Sequence, residues 1–273
     1  MEWKNKSIIW WVIAFLFTIA VAYYQRVTGP TYPKTGKITF NNQELKYKLL
    51  TSCDSHIPAR ITLEGAAKEI GGFVKYKKFK TNEEWHILEL QYNDNELTAE
   101  LPPQPPAGKL EYTVALSNGE EEFYLTEKPV VIRFKGAVPI YVLIPHIIIM
   151  FTAMLLSIRT GIAAITKENK LKTLTMITIL FLGVGGLIMG PIVQKFAFGA
   201  FWTGWPFGHD LTDNKTFVAF IFWFTAYLRL RKNSNNRGWA IAASIILLIV
   251  FLIPHSMFGS ELDYSTGEIG TGK

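Results

Sequence analysis

The stretch that decides the fold is Val130–Met150, VVIRFKGAVPIYVLIPHIIIM. Its first residues alternate, Ile132 and Phe134 on one side and Arg133 and Lys135 on the other, which is the period-two pattern of a half-buried strand. After Gly136 the alternation stops. The apolar run within Ala137–Ile162 is long enough to cross the roughly 30 Å of a bilayer's hydrocarbon as a helix. A β domain therefore ends, and a membrane domain begins, at about residue 136.

Toward the N-terminus the alternation continues. The runs KITF, ELKYKLL, ARITLEG, GFVKYKKF, WHILELQY, LTAELP, KLEYTVAL and EEFYLTE read as strands, separated by turn signals at Asn41-Asn42, Asn93-Asp94-Asn95 and Asn118-Gly119. About eight strands over residues 25–136 predict an antiparallel all-β sandwich. Within LPPQPPAGKLEYTVALSNGEEEFYL, a proline-rich approach leads to Tyr112 early in a strand and then to an Asn-Gly hairpin of the type I′ kind. This pattern resembles fibronectin type III and immunoglobulin-like domains, in which a tyrosine near the start of the penultimate strand pins the preceding connection. The resemblance implies a fold and no activity.

Ahead of the sandwich, Ser7–Tyr24 is a second apolar block. It reads as a first membrane helix or signal anchor over residues 1–24. Ala20-Val21-Ala22 also resembles a signal-peptidase site, and cleavage after residue 22 is the alternative. Either reading exports the sandwich. Downstream, Leu174–Val193, Thr216–Leu228 with its flanks and Trp239–Pro254 bring the total to about five spans, four of them in a bundle over residues 137–255. A tail occupies residues 256–273. Basic residues gather at Lys4 and Lys6, from Arg159 to Lys172 and from Arg229 to Arg237. With those segments in the cytoplasm, the N-terminus lies inside and the sandwich and tail lie outside, which is the periplasm if the bacterial resemblance given below holds.

The net charge of +6 belongs largely to these flanks, so nucleic acid is not an expected partner. A single cysteine, Cys53, excludes an internal disulfide and any multi-cysteine metal motif. In its setting beside His56, Cys53 reads as a small strand-end residue. His86 in EEWHILEL alternates away from an apolar face set by Trp85 and Ile87, and Glu120–Glu122 read as a solvated, edge-protecting run. No P-loop, Gly-x-Ser-x-Gly, His-Glu-x-x-His or paired-carboxylate motif occurs, so no complete catalytic motif supports an enzyme. GVGGLIMGP in the third span lacks the setting of a dinucleotide loop. Gly183, Gly186 and Gly190 fall on one helix face and predict close helix packing.

The sharpest signal is a repeat. LIPH occurs twice, ending in His146 and in His255, at matching depths on the periplasmic side. Pro145 is expected to start the second span and Pro254 to stand just past the end of the fifth. The connection GPIVQKFAFGAFWTGWPFGHDLTDNKT is too rich in Trp, Phe and Gly for an ordinary exposed loop, so it is expected to fold back and carry His209, Asp210 and Asp213 toward the histidines. Glu261 and Asp263 lie in the tail. Imidazole nitrogen with carboxylate oxygen suits a transition metal, giving a metal set of His146, His209, Asp210, His255 and Glu261. His146 and His255 can also hold haem as axial ligands. The competing reading is structural: the interfacial histidines hydrogen-bond to backbone or lipid headgroups, while Asp210 and Asp213 cap the next helix, DLTDNKTF offering at least one N-cap among Thr212, Asp213 and Asn214.

FWTGWPFGHDLTDNKT and IPHSMFGSELDY resemble segments of bacterial inner-membrane proteins, which implies that location and no mechanism. Two functions are therefore expected. One is a binding or redox-accessory component built on the His and carboxylate cluster. The other is a membrane anchor or assembly protein whose sandwich recruits a periplasmic or membrane partner, since open sheet edges invite strand addition.

Overall fold

A computed structural model of the chain describes residues 2–119, 122–254 and 259–271, with side chains from residue 7 onward. Helix α1 (Glu2–Thr28) leads into β1 (Lys34–Phe40), β2 (Gln43–Leu49), β3 (Ser52–Asp54), β4 (Ala59–Glu64), β5 (Gly71–Lys78), β6 (His86–Glu89), β7 (Gln91–Asn93), β8 (Glu96–Leu101), β9 (Lys109–Ser117), β10 (Glu122–Tyr124) and β11 (Val130–Lys135). The β1–β2 and β7–β8 hairpins close through two-residue turns, Asn41-Asn42 with φ of 49° and 60° and Asp94-Asn95 with φ of 51° and 69°. Both central residues are left-handed, as type I′ geometry demands. The expected Asn118-Gly119 turn is longer: Ser117 pairs with Glu122, and Glu120 and Glu121 lie outside the described residues.

The strands form two sheets, β1-β2-β4-β8-β7 and β3-β11-β9-β5-β6, with β10 against β9. Their facing sides share one apolar core, in which Leu45, Ile61, Leu63 and Leu97 meet Val74, Val114, Ile132 and Phe134. Tyr112 is wholly buried there and donates its hydroxyl to the Leu50 carbonyl at 2.8 Å. It pins the β2–β3 connection, far upstream of the one expected.

Three sequence expectations for this part need correction. The sandwich is not wholly antiparallel, because β3 runs parallel to β11 with Cys53 opposite Phe134. WHILELQY is two strands in different sheets, joined at the buried Leu90, whose N–H donates to Gly72 at 2.9 Å. The phase of that segment is also inverted: Leu88 and Leu90 pack inward, while Trp85 and Ile87 are 39% and 60% exposed. His86, in phase with the leucines, is exposed at the end of β6 with its ring against Tyr76.

The helical part comprises α2 (Ile140–Ile165), α3 (Leu171–Leu182), a π-helical stretch (Gly183–Met189), α4 (Gly190–Phe198), α5 (Leu211–Lys232) and α6 (Arg237–Leu252). The π stretch joins α3 and α4 into one rod. Three segments, Ser7–Thr28, Ile140–Ile165 and Leu171–Phe198, are long and apolar enough to cross a membrane, against the five expected. The apolar α6 has 16 residues and rises only about 24 Å. Within α5, Asp213 and Lys215 in the first turns and Arg229, Arg231 and Lys232 in the last confine the apolar run to the middle.

Two further expectations give way. Pro145 does not start α2; the helix begins at Ile140 with Pro139 at its N-cap, and Pro145 sits inside, where it cannot donate to the carbonyl one turn back. Arg159 is not a loop residue. It is 2% exposed within α2, with its guanidinium 2.7 Å from Glu168, 3.4 Å from the Ser7 hydroxyl and 5.5 Å above the Trp11 ring. Desolvating an arginine requires such a partner.

The two parts meet directly. Gly136 donates its N–H to the Ala197 carbonyl at 2.8 Å, and a Cβ there would collide with the Phe196 carbonyl oxygen. Finally β12 (Ser260–Leu262) and β13 (Ile269–Thr271) pair as a small hairpin.

Candidate functional site

The site begins with the glycines of the α3–α4 rod. Small residues let neighbouring helices approach closely. A Cβ on Gly186 would lie 2.6 Å from Thr216 of α5, and one on Gly185 would lie 2.8 Å from Met150 of α2. The close-packing expectation therefore describes Gly186, and Gly183 as well, where a Cβ would stand 3.2 Å from the Phe220 ring of α5, but not Gly190. The π winding adds something the glycine spacing does not encode. Gly190 donates its N–H to the Gly185 carbonyl five residues back, and His146 Nδ1 lies 3.1 Å from that same oxygen. A carbonyl only accepts, so Nδ1 carries the proton and Nε2 of the neutral ring is the nitrogen left for a guest. π-helical turns of this kind recur at functional sites.

The aromatic connection folds back as expected, and the carboxylates of α5 hold it. Asp213 accepts from the N–H groups of Thr203 and Gly204 at 2.7 and 2.9 Å, and Asn214 accepts from Trp205 at 2.6 Å. Gln194 donates to the Thr203 hydroxyl at 2.6 Å, and that hydroxyl lies 3.2 Å from Asp210. A Cβ on Gly204 would fall 2.5 Å from the Cβ of Asp213, so only glycine fits there. Trp202 and Trp205 then flank Phe217, with ring centroids 6.5 and 6.3 Å away.

Capping of α5 falls to Asp210, which accepts from Thr212 N–H at 2.8 Å. Asp213, expected from the sequence to be a cap as well, is a loop organiser instead. Lys215 donates to the Ile253 carbonyl at 2.7 Å and so closes the C-terminal end of α6 from α5.

Together these elements enclose a cavity of about 100 Å³, lined among others by His146, Gln194, Asp210, Asp213, Thr216 and Gly259. The structure thus brings together His146 and Asp210 from the predicted metal set. It does not bring in the rest. His209 is exposed and does not line the cavity, nor does Glu261, and His255 lies outside the described residues. Among the described residues no three His, Cys, Asp or Glu side chains are grouped to hold a metal ion.

Glu261 has other partners. Its carboxylate pairs with Lys80 at 2.8 Å and with Lys109 at short range. Burial pushes this carboxyl up, but the hydrogen bonds and charges of Lys109 and Lys80 outweigh it and hold it below the ordinary carboxylate value. For Lys109, burial and then the charge of Arg133 push the ammonium below its usual range, against the pull of Glu261.

Arg133 is a half-buried charge near this region that sequence reasoning passed over. Burial lowers its pKa, and the charges of Asp210 and Glu261 both act against that. Its guanidinium stands 5.9 Å from the Phe198 ring at the end of α4. The available signal was an arginine in a strand that runs directly into a membrane helix.

Comparison of the chain with family models, with curated proteins and with solved structures finds no match to any of them.

Proposed function

We propose that this is a polytopic protein of the bacterial inner membrane, in which α5 and α6 complete five crossings and an immunoglobulin-like sandwich stands on the periplasmic side. In this reading the junction cavity is the binding site, and its guest is a small, exchangeable transition-metal cation. The observation that carries the reading is that His146 and the carboxylates of Asp210 and Asp213, far apart in sequence, line one cavity.

Chemistry and size set the class of guest. Both Asp213 contacts to the connection use Oδ2, and the carboxylate also lines the cavity. One nitrogen and one or two carboxylate oxygens suit a divalent first-row metal, with water completing the shell. A cavity of about 100 Å³ holds roughly three waters. Organic ligands need about 300 Å³ or more, so a porphyrin does not fit and haem is set aside. So few protein ligands imply weak, exchangeable binding and no buried structural ion.

Cobalt(II) titration of the purified, dialysed protein in detergent tests this through visible absorption. One saturable site is expected, with affinity reduced about tenfold or more in His146→Gln and Asp213→Asn, as for the loss of a metal-orienting group. The absence of saturable binding, or equal binding in both variants, would refute it.

A second reading, a membrane anchor that recruits a protein through the sandwich, is favoured by the exposed Trp85 and Ile87 on the outer side of β6. It predicts a partner complex that survives His146→Gln and fails when the sandwich face is altered.

A further inference from the structure

We infer that the junction cavity selects copper and takes it in the monovalent state, on the imidazole of His146 and the thioether of Met150. The inference rests on the cavity being the binding site and narrows its guest from a class of metals to one.

Both donors come from one face of α2. Residues four apart on a helix are neighbours on its surface, and His146 and Met150 both line the cavity. A single glycine of the π stretch positions them. The Gly185 carbonyl lies 3.1 Å from His146 Nδ1 and leaves Nε2 as the free donor, which is how metal-binding histidines are commonly oriented. The bare Cα of the same residue makes room for the sulfur, since a Cβ on Gly185 would stand 2.8 Å from Met150 Sδ. That sulfur is also 3.8 Å from the Cβ position of Gly186, itself a lining residue. Among the described residues, no other sulfur-bearing side chain lines the cavity.

Donor chemistry separates copper from its competitors. Nitrogen and oxygen alone suit many divalent metals, but a thioether is a soft, polarizable ligand that selects Cu(I), and imidazole suits copper as well. Cu(I) has a filled d shell with no strong geometric demand, so it is held by few ligands. The wall acts in the same direction. Gly186, Gly190, Val193, Ala197 and Phe198 supply much of it, and an apolar shell favours the lower metal charge because desolvating a smaller charge costs less. The carboxylates of Asp210 and Asp213 belong to α5 and its cap, so hard oxygen and soft sulfur reach the cavity from different helices.

Cu(I) competition against the chromophoric chelator bathocuproine disulfonate, in anaerobic ascorbate, tests this in the full-length protein. A Cys53→Ser background removes the one thiol, which would bind Cu(I) on its own account. Saturable Cu(I) binding is expected, weakened about tenfold or more in His146→Gln and in Met150→Leu, the latter a nearly volume-conserving change. Copper X-ray absorption gives a second readout, with a sulfur neighbour expected in the loaded parent and lost in Met150→Leu. Equal Cu(I) affinity in Met150→Leu and the parent, or a loaded parent with no sulfur neighbour, overturns the inference. If Met150→Leu does not fold, the absorption spectrum of the loaded parent decides alone. Cobalt(II) titration of the same proteins keeps the two readings apart: cobalt bound with Cu(I) refused refutes only the copper assignment, whereas both refused refutes the cavity as a metal site.

Discussion

Asp213 illustrates how much one side chain can be asked to do. Its charge holds two backbone N–H groups of a connection ten residues upstream, and the residue also lines the cavity. Asp213→Asn keeps an acceptor but loses the charge assistance, so a loss of about 1–2 kcal/mol is expected, read as a lower denaturation midpoint. Unchanged stability would mean that the connection is held by Asn214 and Gln194 instead. The acidic character of this segment and its place at a helix start were legible in the sequence. Its direction was not, because a side chain that reaches back to a loop looks identical, in a local pattern, to one that caps its own helix. The same holds for His146: the lone imidazole in an apolar block was plain, but its partner is a carbonyl, and the winding that presents it was hidden in glycines that read equally well as packing residues.

At the scale of elements, the alternating runs fall on strands almost run for run, because alternation and turn residues act locally. The misses have a common cause. The parallel partner β3 has three residues, too few for periodicity, and the break at Leu90 is made by a sheet change that only the assembled core requires. Trp85 and Ile87 misled for the same reason, since apolar residues normally mark the inner face. Their replacement by Ser and Thr is expected to change stability by no more than about 0.5 kcal/mol in a denaturant titration, as for surface positions. A loss of several times that size would show the face to be covered.

The C-terminal hairpin, β12 and β13, carries a pH dependence that belongs to it as a unit. Glu261 faces Lys80, Lys109 and Arg133, and its carboxyl is lowered from 4.5 in the docked state. Its contribution to docking is therefore complete above about 4.5 and is lost as the pH falls through the lowered docked value. Limited proteolysis within residues 262–268 is expected to accelerate on acidification below that range, and to lose this dependence in Glu261→Gln. A pH-independent cutting rate in the parent chain would count against the ion pairs as fastenings.

For the whole molecule, the division at residue 136 and the apolar blocks were legible because composition alone reports them. The number of crossings was not, since α5 carries charges in its first and last turns and α6 has only 16 residues, which leaves three helices long and apolar enough to cross. Arg159 shows the same dependence: it reads as a loop charge until Glu168, Ser7 and Trp11 are found around it. The rod joins residue, element and whole. Its stretch Gly183–Met189 winds wider than the helices on either side of it. Rewinding it as an ordinary α-helix with no residue removed would add rotation, because i→i+5 bonding spreads each turn over more residues than the 3.6 of an α-helix. Everything beyond would then rotate relative to α2, taking Val193 and Gln194 off the cavity wall and the Ala197 carbonyl away from Gly136. The glycine stretch thus acts as a spacer in a screw: it fixes the angular phase at which the second half of the rod meets the first, and with it the bearing of the sandwich over the bundle.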